Sequence, residues 1–338
     1  MTTRRLVLLL LLSALTLGAQ SKKKVLVLNQ PDEVINDWKT VSNKLEIVSV
    51  TNDTVMNHIA DASAIIGGVK PEWVTAGKKL EWVQSTSAGV ENYLHRSGSN
   101  ALRDSDIILT NNQVVQGPEI ADHAMAMLLA LTREIPKWLR YKDEEKWQGR
   151  PYELYELNEK TAVVIGVGGI GMNIAIRAWA HGMKVIGVDP DDKPMTPFVE
   201  RYVKPDQIDE VLPLADVVFM AAPHTEKSEK MLGPSQFERM KKGSWFIAVS
   251  RGMTYDLGGL MKALDSERLN GAGVDVTDPE PLPKGHPLWG FDNVVITPHI
   301  AGRSDLDRGR MLGTAKANLK RFADGLPLIN VVDKHKGY

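Results

Sequence analysis

The 338-residue sequence has no cysteine, which excludes disulfides and thiolate metal sites. Its eight histidines lack any HExxH-like spacing, so no metal ion is expected. Neither sign of charge is in excess: 41 Lys and Arg against 42 Asp and Glu leave a net −1. That balance gives no electrostatic case for nucleic acid. Internal repeats are missing as well. The longest apolar run is confined to residues 6–17, twelve residues from Leu6 to Leu17, short for a membrane span. Basic Thr3-Arg4-Arg5 precedes it, and small Gly18 and Ala19 lead to polar Gln20 and Ser21. This is the grammar of a secretory signal peptide. Residues 1–20 are therefore expected to direct export, periplasmic or extracellular, and to leave no stable membrane span in the mature chain. Arg4-Arg5 also fits a twin-arginine signal, which Lys22-Lys23-Lys24 favours and the leucine-rich core does not. A non-functional signal would leave the protein in the cytoplasm.

What is present is an alternation. A chain of this length suits two domains, and 43% apolar with 25% charged residues is a globular composition. Apolar runs at 24–28, 45–50, 62–68, 80–85 and 106–110 read as buried strands with helix-like stretches between them. A second series follows at 161–166, 184–189, 216–222, 244–250, 271–276 and 293–298. Such alternation implies two doubly wound parallel-sheet α/β domains. Gly117-Pro118-Glu119 opens a helix whose continuation to about residue 140 is apolar on several faces and is expected to lie between domains. His123 within it reads as a structural histidine, because a helix interior is remote from strand ends. The last helical stretch, from about Ser304, is expected to return to the first sheet, which needs cover on both faces. The expected division is residues 22–112 with 304–338 as a smaller flavodoxin-like substrate domain. Residues 113–303 then form a Rossmann domain inserted in it.

Gly166-Val167-Gly168-Gly169-Ile170-Gly171 is a GxGxxG string, weak alone but placed after a strand and before a helix as dinucleotide binding requires. Gly166 allows the tight turn, Gly168 lets backbone approach a pyrophosphate, and Gly171 lets helix and strand pack closely. Gly169 and Ile170 open the helix whose free N–H groups suit phosphate. Asp189 stands eighteen residues after Gly171, where a carboxylate accepts the ribose hydroxyls and repels a 2′-phosphate. NAD is therefore expected over NADP. The competing reading is a strand-end aspartate capping its own turn.

Arg251, Glu280 and His299 each follow an apolar run of the second series. A guanidinium, a carboxylate and an imidazole at strand ends suit chemistry on a small anionic carbonyl compound. Across residues 24–332 the chain resembles the D-isomer-specific 2-hydroxyacid dehydrogenases. The stretches that carry the resemblance are LEWVQSTSAGV, EIADHAMAMLLALTR, VVIGVGGIGMNIA, VIGVDP, SRG, GAGVDVTDPEPLP and HPLWGFDNVVITPHIAG. It implies that Arg251 holds the substrate carboxylate and carbonyl, that His299 is the general acid and base, and that Glu280 orients the imidazole and favours its protonated form. It further implies that Ser87, Ala88 and Gly89 receive the carboxylate on backbone N–H groups. Asp275 would meet the nicotinamide carboxamide, and Pro223, Thr225 and Ser250 would border the cofactor. Trp289 would pack near His299. Gly169 and His224 depart from the longer polar and the small apolar residue common in relatives. The implied partners are a small 2-keto or 2-hydroxy acid and a second copy of the chain. A different class keeps the same residues: an NAD(H)-sensing, corepressor-like binding protein with little turnover.

Overall fold

The computed structural model describes residues 21–338; the export signal read in residues 1–20 lies outside them. The first sheet is built from β1 (Lys23–Leu28), β2 (Leu45–Val50), β3 (Ala64–Ile66), β4 (Trp82–Gln84) and β5 (Ile108–Thr110). The order is β2-β1-β3-β4-β5, with every pairing parallel. Short β-branched and leucine-rich runs, buried on both faces, favour this arrangement. One face is covered by Leu94, Trp73 and Leu102. The other is covered by the helix Asp307–Asp324, whose Ala315, Leu319 and Phe322 join Val25, Val27 and Trp82 in one core. Asn318 of that helix donates from Nδ2 to Gln84 Oε1 at 3.0 Å.

The second sheet contains β6 (Thr161–Ile165), β7 (Lys184–Val188), β8 (Arg201–Val203), β9 (Val217–Met220), β10 (Ser244–Ala248), β11 (Leu269–Val274) and β12 (Val294–Ile296). Its order is β12-β11-β10-β9-β6-β7-β8, again all parallel. The expected doubly wound fold class is thus present in both sheets. The chain leaves β6 in one direction and resumes at β9 in the other, so a crevice opens between their C-terminal ends.

Two expectations are corrected. The apolar stretch 118–140 is two helices, Gly117–Thr132 and Ile135–Asp143, parted where Glu134 takes a left-handed φ of 51°. The first of them does not lie between the sheet units. It packs on the helix Gly169–Ala180 and on β10, β11 and β12, with Ala121, Ala124 and Leu128 fully buried. Small Gly273 on β11 makes room for its Met127, since a Cβ there would fall 2.8 Å from Met127 Cβ.

Candidate active site

The two units enclose a continuous cleft of about 1880 Å³. Every residue read above as catalytic, cofactor-binding or substrate-binding borders it. Trp289 does not; it is half-exposed, with Nε1 donating to Pro283 O at 3.0 Å.

Arg251 follows β10 and is fixed on two sides. Nη1 donates to Ser250 O at 2.8 Å, and Nε donates at 2.7 Å to Glu91 Oε1, a residue of the first unit. Glu91 is buried. Burial alone would raise its pKa, but the charge and hydrogen bond of Arg251 outweigh that and hold the carboxyl below its usual range. Gly89 permits the approach: a Cβ there would lie 1.9 Å from Arg251 Nη2. Glu91 gives little signal in the sequence, a single charge set in a loop of small residues.

The loop Ser87–Gly89 is pinned by the two residues that follow β5. Asn111 Nδ2 donates to Ala88 O at 2.7 Å, and Asn112 N to Ser87 O at 3.1 Å. Ser87 N–H is already engaged by Ser85 Oγ at 3.0 Å. The N–H groups of Ala88 and Gly89 are then the ones left for an anion.

His299 Nδ1 and Glu280 Oε1 lie 2.6 Å apart, both side chains about two-fifths exposed. With Nδ1 taken by the carboxylate, Nε2 is the nitrogen left for a ligand. The backbone of His299 is left-handed, φ 54°, an uncommon conformation that its surroundings must impose. Asp275 imposes it. Its Oδ1 accepts from Thr297 Oγ1 (2.6 Å) and Ile300 N (2.9 Å), its Oδ2 from Ala301 N (2.9 Å), and its carbonyl from His299 N (2.8 Å). Three donors on one buried carboxylate make Asp275 the clamp of the loop that carries His299.

His123 belongs to the same network. Its Nε2 lies 2.9 Å from Thr297 Oγ1 and 3.7 Å from Asp275 Oδ1. Thr297 has one hydroxyl proton, which it gives to Asp275, so Nε2 of His123 is the donor in this contact. The histidine is hydrogen-bonded, but it is not remote from strand ends: its helix packs against β11 and β12.

The GxGxxG segment folds for stated reasons. Gly166 has φ 83°, and a Cβ there would sit 2.5 Å from Ala222 Cα; one on Gly171 would sit 1.9 Å from Gly166 O. Gly169 is small because Val114 passes close by, its Cα 2.5 Å from where a Cβ would stand. At Gly168 a Cβ would meet nothing within 4 Å, so open space lies over the N-terminus of the helix Gly169–Ala180. An open, glycine-lined helix N-terminus at a switch point fits a dinucleotide pyrophosphate.

Asp189 is buried at the neighbouring strand end. Oδ2 accepts from Val167 N at 2.8 Å and Oδ1 from Asp191 N at 3.0 Å, with Lys193 Nζ 3.1 Å away. It therefore caps its turn; Oδ2 keeps a further lone pair, while Oδ1 is shared by Asp191 N and Lys193. Across the crevice Ser228 Oγ ties the Pro223–Thr225 loop, donating to Pro223 O at 2.6 Å and accepting from Thr225 N at 2.8 Å. His224 is buried there, edge-on to His95 with centroids 5.3 Å apart. Burial, and then the neighbouring His95, depress its pKa. Ser250 Oγ is buried without a partner beside Arg251. Among the described residues no group of His, Asp or Glu could hold a metal ion, and no helix is long and apolar enough to cross a membrane.

Residues 125–301 match the family model described as D-isomer specific 2-hydroxyacid dehydrogenase, NAD binding domain. The chain is 31% identical over 326 residues to a D-3-phosphoglycerate dehydrogenase of Archaeoglobus fulgidus, covering 92% of this chain but 59% of that longer protein. To a glyoxylate reductase of Korarchaeum cryptofilum it is 30% identical, covering 83% of this chain and 85% of the relative. In fold it is similar to an NADPH-dependent glyoxylate/hydroxypyruvate reductase of Sinorhizobium meliloti solved with NADP. There the TM-score is 0.79 at 24% identity, covering 94% of this chain and all of the other.

Proposed function

Since the chain belongs to the D-isomer specific 2-hydroxyacid dehydrogenase family of NAD(P)-dependent oxidoreductases, we propose that it interconverts a small 2-keto acid and the corresponding D-2-hydroxy acid with NAD(H). The observation that carries this reading is the convergence of Arg251 and the Glu280–His299 pair on one cleft with an open dinucleotide cradle.

Arg251 binds the substrate carboxylate and polarises the adjoining carbonyl with the Nη2 edge that Glu91 and Ser250 leave free. Ala88 and Gly89 add backbone N–H groups from the other wall. A bound nicotinamide dinucleotide supplies the hydride for reduction and takes it up in oxidation. His299 holds the proton at Nε2, gives it to the carbonyl oxygen in reduction and recovers it in oxidation. Glu280 keeps Nδ1 occupied, so the ring is held with Nε2 toward the ligand. Asp275 keeps the imidazole at the cleft through the loop it clamps.

For the cofactor, a free ribose suits the crevice best: Asp189 Oδ2 offers a lone pair to a ribose hydroxyl. Exposed Leu139, Trp147 and Tyr152 on and after the helix Ile135–Asp143 support pairing of two copies through this unit, which sedimentation would test. Steady NADH oxidation with glyoxylate, hydroxypyruvate, pyruvate or phenylpyruvate tests the reaction. Turnover of at least one supports it. Tight NADH binding with none turned over sinks it and favours a nucleotide sensor.

A further inference from the structure

The acidic turn that would receive the adenosine ribose is not bare acid. Lys193 Nζ lies 3.1 Å from Asp189, Lys204 Nζ 2.7 Å from Asp192, and Lys336 Nζ 2.9 Å from Asp191. The first two lysines come from the second unit itself. Lys336 comes from elsewhere, from a segment rooted in the first unit.

The root is firm. Val332 N donates to Leu109 O at 2.8 Å beside β5. Lys334 Nζ, partly buried, donates to Leu102 O and Ile107 O at 2.9 Å each and also to Ser105 O; burial depresses its pKa. From there the segment closes on itself, Gly337 N to Asp333 O at 2.8 Å and Asp333 N to Tyr338 O at 3.0 Å. The Asp333 side chain holds the N–H groups of His335 and Lys336 at 3.0 Å each. A preorganised loop of this kind carries Lys336 to Asp191 and sets Gly337 against the opposite loop, where a Cβ would lie 3.3 Å from Thr225 Cγ2. The Tyr338 phenol has its pKa raised by burial and then by the charge of Asp191, which outweigh the opposing charge of Lys336. Residues 333–338 all border the cleft that also contains Asp189 and Pro223.

We propose that Asp333–Tyr338 is the outer wall of the adenosine pocket and that Lys336 is a specificity-determining residue for the cofactor. This rests on the dinucleotide reading given above and refines it. An acidic turn excludes a 2′-phosphate by charge, and a cation brought to it from the other unit lowers that barrier. Lys336 therefore sets how far the site tolerates a 2′-phosphate, whereas Asp189 sets its preference for free hydroxyls. The Lys336–Asp191 pair is half-exposed, so the ammonium can turn from the carboxylate to a phosphate oxygen without leaving a buried charge behind.

The test is calorimetric binding of 5′-AMP and adenosine 2′,5′-bisphosphate to the full chain and to Lys336→Ala, Lys336→Arg and Lys204→Ala. These probes read the adenosine end without turnover. The expected result is that Lys336→Ala weakens the 2′-phosphorylated probe about tenfold and 5′-AMP by less than about twofold, the size of one lost charge contact. Lys336→Arg should keep the wild-type ratio. Lys204→Ala should move it less than Lys336→Ala does. An unchanged ratio in Lys336→Ala, or an equal loss of both probes, overturns the assignment. Failure of both probes to bind the unmodified chain overturns the cofactor reading itself, and this inference with it.

Discussion

Glu91 and Arg251 form a 2.7 Å ion pair that joins the two sheet units across the cleft. The pair is largely buried, with side-chain exposures of 8% and 22%, so its charges are poorly screened. It has a directional consequence. Nε is spent on Glu91 and Nη1 on Ser250 O, which leaves one edge of the guanidinium to meet a carboxylate.

Glu91→Gln keeps the shape of the anchor and removes its charge. The expected outcome is a KM for the keto acid raised about tenfold with a smaller change in kcat, the effect of a misplaced binding group. Steady-state kinetics check it. Linkage gives a second readout. The folded carboxyl is held below the ordinary 4.5, so its stabilising contribution is present above that pH and is lost as pH falls through the depressed value. Acid melts of the variant should be less steep than those of the parent.

His299→Gln should lower kcat by about 10²–10⁴, the range ascribed to a positioned acid or base. Glu280→Gln should lower kcat by less, because the imidazole stays while the carboxylate that orients it is lost. A kcat of Glu280→Gln equal to that of the parent would contradict the positioning role.

Asp275→Ala leaves Thr297 Oγ1, Ile300 N and Ala301 N without their acceptor. Unpaired buried groups cost about 1–3 kcal/mol each, so a lower melting temperature is expected together with a fall in kcat as the His299 loop relaxes. Thermal melts and kcat measured on the same preparation test the link between them.

His224 is buried with both ring nitrogens unpartnered, facing His95, Glu91, Glu229 and Arg96. Its pKa lies below the ordinary 6.5, so the unfolded chain binds the extra proton first. Stability from this group is complete above about pH 6.5 and is lost as pH falls toward the depressed value. His224→Leu should flatten that part of the stability curve, as read by urea melts at several pH values.

The strands were legible because buried parallel strands read as continuous apolar runs, as at Val163–Ile165 or Phe246–Ala248. β8 was not, because Arg201–Val203 is an edge strand with no fully buried side chain. The break at Glu134 leaves little trace in the sequence, since a single left-handed residue keeps the apolar pattern nearly intact. At the site, Arg251, Glu280 and His299 stood out as polar residues after apolar runs. Glu91, the clamp role of Asp275 and the reach of Lys336 are long-range pairings, and spacing along one chain carries no trace of them. The restriction on Ser87 N–H likewise follows from a side chain two residues away.

The central claim is direct hydride transfer to a 2-keto acid at the Arg251–His299 site. It is tested most directly by supplying NADH deuterated at the transferable position and analysing the product by chiral separation and mass spectrometry. The predicted result is a D-2-hydroxy acid carrying deuterium on C2, formed by the parent enzyme and nearly abolished in His299→Gln. Recovery of unreduced keto acid with the labelled cofactor intact, or label lost to solvent, would contradict the account.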